Sequence, residues 1–219
     1  MSMTAIILAL RGLLLRGGTF EDSKPGQRGD GISIYNSKNA MVTNNTVNGN
    51  GEFGIGVAGN NAMVKNNTSN GNSWGGMYVA GDTAQVTGNT ANGNGRFGIG
   101  VEGNDAQVTG NTANGNGWGI GIYDSNTVLI RGNTVSLNVG TGVGIYGTSN
   151  VVVVKENNIF GNGIGLENTT VNDVDATNNW WGPGGVGANA GKPGEGGNNG
   201  VVDSGGGTTY FSNWSNVRF

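Results

Sequence analysis

The sequence predicts an all-β fold, a parallel β-helix of about seven coils of ~22 residues, and three observations predict it. The first is a repeat. GIGVAGNNAMVKNNTSNGNSWG, GMYVAGDTAQVTGNTANGNGRF and GIGVEGNDAQVTGNTANGNGWG run without a gap from Gly54 to Gly119. The second is an apolar alternation of period 2 inside each copy, the period of a strand and not of a helix. The third is the confinement of Gly and Asn to fixed places in the repeat, as the corners of a coil require. Asn45, Asn67, Asn89, Asn111 and Asn133 mark the phase; Asn157 and Asn178 follow at slightly altered spacing. Units repeating at such a period bury a continuous core only when stacked.

Composition alone would suggest a chain too polar to fold, since 46 residues are Gly and only 35% are hydrophobic. The fixed register of the apolar residues argues against that. Charged residues make up 11% with a net charge of -3, so there is no basic footprint for nucleic acid. The chain has no Cys and no His, which removes disulfides, thiol and imidazole chemistry and the common zinc and copper ligands. No apolar run is long enough for a membrane span. Near the start, Arg11 splits the apolar stretches Ile6–Leu10 and Leu13–Leu15, and no cleavage-type motif follows. That segment is expected to form a first coil rather than a signal peptide.

Taken in order, each coil opens with a strand bearing two inward columns. One is Ile32, Ile55, Met77, Ile99, Ile120, Val143 and Ile164; the other is Ile34, Val57, Val79, Val101, Ile122, Ile145 and Leu166. A second strand supplies Ala40, Ala62, Ala84, Ala106, Val128 and Val152, then Val42, Val64, Val86, Val108, Ile130 and Val154. A short third strand supplies Val47, Ser69, Ala91, Ala113, Val135 and Ile159. Three strands per turn separated by corners cannot make a flat sheet. Each must pair in parallel with its counterpart one coil away, about 4.8 Å along the axis.

Asn44, Asn66, Gly88, Gly110 and Gly132 precede the marked Asn, a composition that signals a left-handed backbone there. The marked Asn should turn inward, its amides bonding from coil to coil as a ladder. Phe53, Phe97 and Trp118 lie two residues before an inward position and are expected inside, where they would complement small core residues such as Ala84 and Ala106. Upstream, the phase runs back through Phe20, Leu15 and Leu13 to Leu8 and Ile6, leaving an open strand edge at that end. Such an edge suits a second copy of the chain or a further N-terminal segment. Residues 1–182 form the coil stack and residues 183–219 read as a Gly-rich loop and C-terminal cap, whose Tyr210, Phe211 and Trp214 join Trp180 and Trp181 over the last coil.

The N-x-I/V/T-x-x-N coil motif and the NNWWGP ending, with its later aromatic closure from Tyr210 to Trp214, resemble right-handed parallel β-helix repeat proteins. That superfamily includes pectate lyases and other carbohydrate-active proteins, and the resemblance spans essentially the whole chain. It implies a right-handed fold and glycan binding along the opening-strand face. The closing motif also resembles periplasmic copper-associated maturation proteins for nitrous-oxide reductase. Met41 and Met63 stack one coil apart, but two methionines without His or Cys are a poor soft-metal site.

Candidate chemistry lies on the outer face of the opening strand. One outer column is nearly all glycine: Ser33, Gly56, Tyr78, Gly100, Gly121, Gly144 and Gly165. Beside it stand Tyr35, Ala58, Ala80, Glu102, Tyr123, Tyr146 and Glu167. A flat glycine floor edged by tyrosines suits an extended sugar chain, which needs ring faces and hydroxyls from the same residues. Tyr35, Tyr78, Glu102, Tyr123 and Tyr146 are therefore the candidate polysaccharide-binding residues. Asp82, Glu102, Asp105 and Asp124 form the one acidic cluster, at the first corner, and could hold Ca²⁺ through oxygen ligands. Asp82 and Asp105 also stand where Asn occurs in other coils, as turn residues do. In the resembled lyases a calcium-acidified proton is abstracted by Arg or Lys, which makes Arg96 the candidate catalytic base. The leading expectation is a non-catalytic extracellular or cell-surface protein that binds polysaccharide, with no cofactor beyond a possible Ca²⁺. The alternatives are a calcium-dependent polysaccharide lyase or epimerase, and a purely structural, end-to-end stacking solenoid.

Overall fold

The computed structural model describes residues 5–8, 14–16, 19–21, 29–182, 200–211 and 218–219. It is a right-handed parallel β-helix without helices among those residues, so no helix there is long and apolar enough to cross a membrane. The opening sheet has nine strands: Ala5–Leu8, Ile32–Tyr35, Phe53–Ala58, Gly75–Ala80, Phe97–Glu102, Trp118–Tyr123, Thr141–Tyr146, Ile164–Asn168 and Val201–Asp203. A second nine-stranded sheet runs from Leu14–Arg16 to Thr209–Tyr210. The third side is narrower. Thr112–Asn114, Thr134–Ser136 and Asn158–Phe160 form a sheet, and isolated bridges through Thr46, Thr68, Thr90 and Thr112 carry it to earlier coils.

Every pairing is parallel and joins equivalent positions of successive coils, for example Val86 to Val108 and Ala113 to Val135. The inward columns of the three strands make one continuous core from Ile32 to Val201. Ala84, Ala91, Ala106 and Ala113 give way further along the tube to Val128, Val135, Val152 and Ile159, all of them buried.

Asn45, Asn67, Asn89, Asn111, Asn133, Asn157 and Asn179 form a buried ladder in which each Nδ2 donates to the Oδ1 of the next amide at 2.9–3.0 Å. The remaining N–H of most rungs goes to a core carbonyl, as from Asn89 to Val64 at 2.8 Å. Polar side chains survive in the core because every rung is partnered on both sides. The last rung is Asn179 and not Asn178, which instead takes the left-handed position (φ 59°) held by Asn44, Asn66 and Gly88 in earlier coils. A second buried ladder runs through Asn50, Asn72, Asn94, Asn116, Asn138 and Asn162. It turns the corner into each opening strand.

That second ladder overturns the inward placement of the aromatics. A Cβ on Gly54 would stand 1.9 Å from Ser69 Oγ and 2.7 Å from Asn72 Nδ2, so Gly54 faces the interior directly before buried Ile55. Gly76, Gly98 and Gly119 are confined in the same way by Asn94, Asn116 and Asn138. Two successive inward residues break the alternation, and the residue before them is turned outside. Phe53, Phe97 and Trp118 therefore lie on the outer face, as does Trp74.

Register corrects two further expectations. Ile164 pairs with Thr141 and Leu166 with Val143, so the last opening strand is displaced by two residues from the expected columns. Glu167, not Gly165, continues the outer glycine column. At the other end, Ala5 and Ile7 pair with Ile32 and Ile34, while Ile6 and Leu8 stand opposite Ser33 and Tyr35. The run Ala5–Leu8 is apolar throughout, so alternation carried no parity signal there. At the far end, Trp181 is buried in the core and Phe211 packs against it. Trp180 instead meets Phe160 on the outer surface, and Tyr210 is exposed. Trp214 and the Gly-rich stretch lie outside the described residues.

Candidate functional site

The outer face of the opening sheet carries two columns in register. One is Ser33, Gly56, Tyr78, Gly100, Gly121, Gly144 and Glu167; the other includes Ala58, Ala80, Glu102, Tyr123 and Tyr146. The glycine floor is not open to solvent. A Cβ on Gly121 would lie 2.6 Å from the Tyr123 hydroxyl, and one on Gly144 would lie 2.2 Å from that of Tyr146. The two tyrosine rings fold back over the glycine two residues earlier, and the floor is made of rings, not bare backbone. They stack on each other with centroids 5.3 Å apart and planes 19° from parallel.

Next to them, Phe53, Tyr78 and Phe97 form a second aromatic group with centroids 5.6–6.4 Å apart. Gly75 makes room for it, since a Cβ there would meet both phenylalanine rings at about 3 Å. Trp74 and Trp118 stand at the edge of the face, 45% and 39% exposed. Between them lies the guanidinium of Arg96, 4.6 Å from the Trp74 ring centroid and 5.3 Å from that of Trp118. Both faces of the cation are thus covered by indoles, an arrangement that holds its plane and leaves its N–H edge available. Among the described residues Arg96 makes no ion pair; the two ion pairs there are Arg131–Glu156 and Lys155–Asp175, on other faces.

Two adjoining hollows of about 340 and 250 Å³ share Arg96 and Tyr123 and together form one groove. The first is walled by Phe53, Trp74 and Tyr78 and reaches Glu102 and Asp124. The second runs past Trp118 and Tyr146 to Glu167. The carboxylates are held. Glu102 accepts a hydrogen bond from the Tyr78 hydroxyl. Glu167 accepts from Thr141 Oγ1 at 2.9 Å and Tyr146 Oη at 3.1 Å. Asp124 accepts from the Thr148 N–H and hydroxyl at 2.8 and 3.0 Å, which holds its carboxyl below the usual range. Burial, then the bond to Glu102, raises the Tyr78 phenol well above its ordinary value. Burial and the Glu167 charge do the same for Tyr146. Burial also raises Tyr123, partly opposed by the Arg96 charge. All three phenols are therefore hydrogen-bond donors at neutral pH and not bases.

Of the expected binding residues, Tyr78, Glu102, Tyr123 and Tyr146 come together in the groove. Tyr35 does not; it stands at the far end of the face near Asp30. The four acids occupy four different columns of the corner. Glu102 and Asp124 reach the groove, but Asp82 is a rung between Asn60 and Asn104, bonding the latter at 2.9–3.0 Å. Asp105 sits in the left-handed position (φ 56°) shared with Asn61 and Thr83. Among the described residues no three Asp or Glu side chains gather as metal ligands would. Arg96, expected beside the acids, lines the same hollow as Glu102 and Asp124, with its guanidinium between the indoles. Phe53, Trp74, Phe97, Trp118 and Glu167 were missed as site residues. The signal available for the four aromatics was the corner N-G-N-[GS], followed directly (Trp74, Trp118) or after one residue (Phe53, Phe97) by the aromatic; Glu167 had no such mark.

The family model described as periplasmic copper-binding protein (NosD) matches residues 14–198. The chain belongs to the NosD family. Among curated proteins none matches it in sequence. Among solved structures, the A-module of Azotobacter vinelandii mannuronan C-5 epimerase AlgE4 superposes with TM-score 0.64 at 14% identity, covering 95% of this chain and 76% of that one. The periplasmic alginate epimerase AlgG gives 0.72 at 17% identity over 91% of this chain and 50% of its own. The enzymatically active domain of bacteriophage CBA120 tailspike protein 2 gives 0.66 at 15%, with 92% and 35% covered. At these identities the likeness is one of fold, and this NosD-family chain spans half or less of the latter two.

Copper is named in the family description, and the donors among the described residues do not fit it. There is no Cys or His among the 219 residues. Met77 is fully buried in the core, and Met41 and Met63 make a single outward pair continued by Gln85. Two thioethers fall short of the soft-ligand set that Cu(I) needs.

Proposed function

We propose that this NosD-family chain binds an extended polysaccharide, without transforming it, in the groove between Phe53 and Glu167. The observation that carries this reading is the row of Trp74, Arg96 and Trp118 beside the stacked pair Tyr123 and Tyr146. Ring faces for sugar C–H surfaces and fixed donors and acceptors for hydroxyls meet in one trough. The trough crosses six opening strands, so it extends about 24 Å along the axis, longer than one sugar and suited to a chain. Structural neighbours named for alginate and mannuronan add support at the level of the fold. An extracytoplasmic location follows from the same reading and agrees with the family description.

The test is a glycan array read alongside tryptophan fluorescence. Trp74 and Trp118 are the exposed indoles of the groove, so ligand should shift their emission. Trp74→Ala with Trp118→Ala should abolish both signals while far-UV circular dichroism is unchanged. Turnover of any bound glycan to shortened or unsaturated products would reject the non-catalytic assignment.

A further inference from the structure

We infer that the polysaccharide taken by this groove is uncharged, and that a polyuronate is excluded. This rests on the glycan-binding reading above and narrows it. Three carboxylates, Glu102, Asp124 and Glu167, line the groove against one cation, Arg96. Glu102 and Asp124 line one hollow and Glu167 the other, so a chain filling the groove passes a carboxylate in both. The one guanidinium is capped on both faces by Trp74 and Trp118, and its free edge can serve one acidic group at a time. A chain with a carboxylate on each sugar would set one charge at Arg96 and the rest against like charge. The chain as a whole, at net -3, offers no compensating field.

An uncharged chain meets no such conflict. Glu102 accepts one hydrogen bond and Glu167 two, and a carboxylate has about four lone-pair sites. Each can therefore still accept from neighbouring sugar hydroxyls. The Arg96 edge donates to ring or hydroxyl oxygens. The polar groups of the groove thus match a ligand made of hydroxyls and ether oxygens better than one made of carboxylates. This would set the chain apart from the alginate and mannuronan named for its structural neighbours.

The experiment uses the full chain with EDTA present, on a panel of uncharged oligosaccharides (gluco-, manno- and galacto-hexaoses) and of uronate oligomers (hexagalacturonate and hexamannuronate). Binding is read at about 0.01 M and about 0.15 M salt, where screening lengths differ about fourfold. At least one uncharged hexaose should bind with affinity unchanged by salt. The uronates should bind at least tenfold more weakly and gain as salt rises, because repulsion is what screening removes. Glu102→Gln with Glu167→Gln should raise uronate affinity about tenfold with the melting temperature held. Uronates that bind more tightly than every uncharged glycan, weaken with salt and are lost in Arg96→Gln would overturn this inference and leave the groove a glycan site. Binding of neither class, with tryptophan emission unmoved, would overturn the inference and the glycan reading together.

Discussion

Replacing Asn89 with Leu tests the physical basis of the stack. Four hydrogen bonds pass through this side chain. Its Oδ1 accepts from Asn67 N at 2.9 Å and Asn67 Nδ2 at 3.0 Å, and its Nδ2 donates to Val64 O at 2.8 Å and to Asn111 Oδ1 at 3.0 Å. The residue is 1% exposed, so water cannot replace the amide. Leucine is of similar size, which keeps the packing term small and isolates the polar one. Two buried donors on Asn67 lose their acceptor, at about 1–3 kcal/mol each, and Val64 O loses a donor. The expected loss is about 3–5 kcal/mol. The control is Asn92→Leu in the same coil. Asn92 faces outward, and its side chain accepts one bond, from Asn114 N at 2.9 Å, which solvent can take over. That change should cost less than about 1 kcal/mol. Urea unfolding followed by far-UV circular dichroism, each variant fitted with its own slope, gives both values. Equal losses at Asn89 and Asn92 would refute the claim that the interior ladder holds adjacent coils in register.

Three further outcomes follow from the geometry. Leu137 is 65% exposed and left-handed (φ 57°) in a column where Gly115 and Gly161 take the same conformation. Leu137→Gly should stabilise the protein by about 0.5–1 kcal/mol, the relief of backbone strain outweighing the added freedom of the unfolded chain; a lower melting temperature would reject that. Gly144→Ala would place a methyl 2.2 Å from the Tyr146 hydroxyl, lift the ring off the floor and break its bond to Glu167. The expected cost is about 1–3 kcal/mol, with a changed near-ultraviolet dichroism, and Gly110→Ala, where no atom lies within 4 Å, would leave that spectrum unchanged. Finally, Tyr78 and Tyr146 have raised folded-state values, so between the ordinary phenol pKa of about 10 and those values the folded state binds more protons than the unfolded one. Stability must then fall as pH rises past about 10, and Tyr78→Phe with Tyr146→Phe should flatten that fall and remove late-ionising absorbance at alkaline pH.

The core was legible because a column of like residues has one physical explanation. Ile99 above Met77, Val86 above Val64 and Asn89 above Asn67 each follow from spacing and alternation alone. What failed was inference at corners. The count from Phe97 to Ile99 is even, yet Gly98 turns inward against Asn116 and leaves Phe97 outside. Period-2 reasoning assumes an unbroken strand, and a glycine with no side chain gives no sign of which way it faces. The two-residue slip at Leu166 has a related cause. Both ladders lengthen to 24 residues between Asn133 and Asn157 and between Asn138 and Asn162, and extra corner residues move the next strand without altering its apolar look. Tyr78, Glu102, Tyr123 and Tyr146 could be grouped from sequence because they lie on one strand face. The acids could not, because a corner sends successive residues in different directions.

The same logic locates function in departures from the repeat. Interior columns tolerate little variation, since a changed rung strands its neighbours and a changed core residue alters the cross-section. Outer columns carry no such constraint, and most are filled plainly: Gly at Gly100, Gly121 and Gly144 on the strand face, Asn at Asn70, Asn92 and Asn114 at the corner. Against that background Tyr78 interrupts a glycine column, Glu102 follows Ala80, and Arg96 stands one coil beyond Trp74. The repeat itself does not call for any of these. Among the described residues Arg96 has no carboxylate partner, and Trp74 and Trp118 leave large apolar area in water. The exposed indole–guanidinium–indole stack beside the stacked tyrosines is the arrangement the proposed glycan binding would use. The metal named for the family finds no donor set among the described residues, while the groove has walls, donors, acceptors and length.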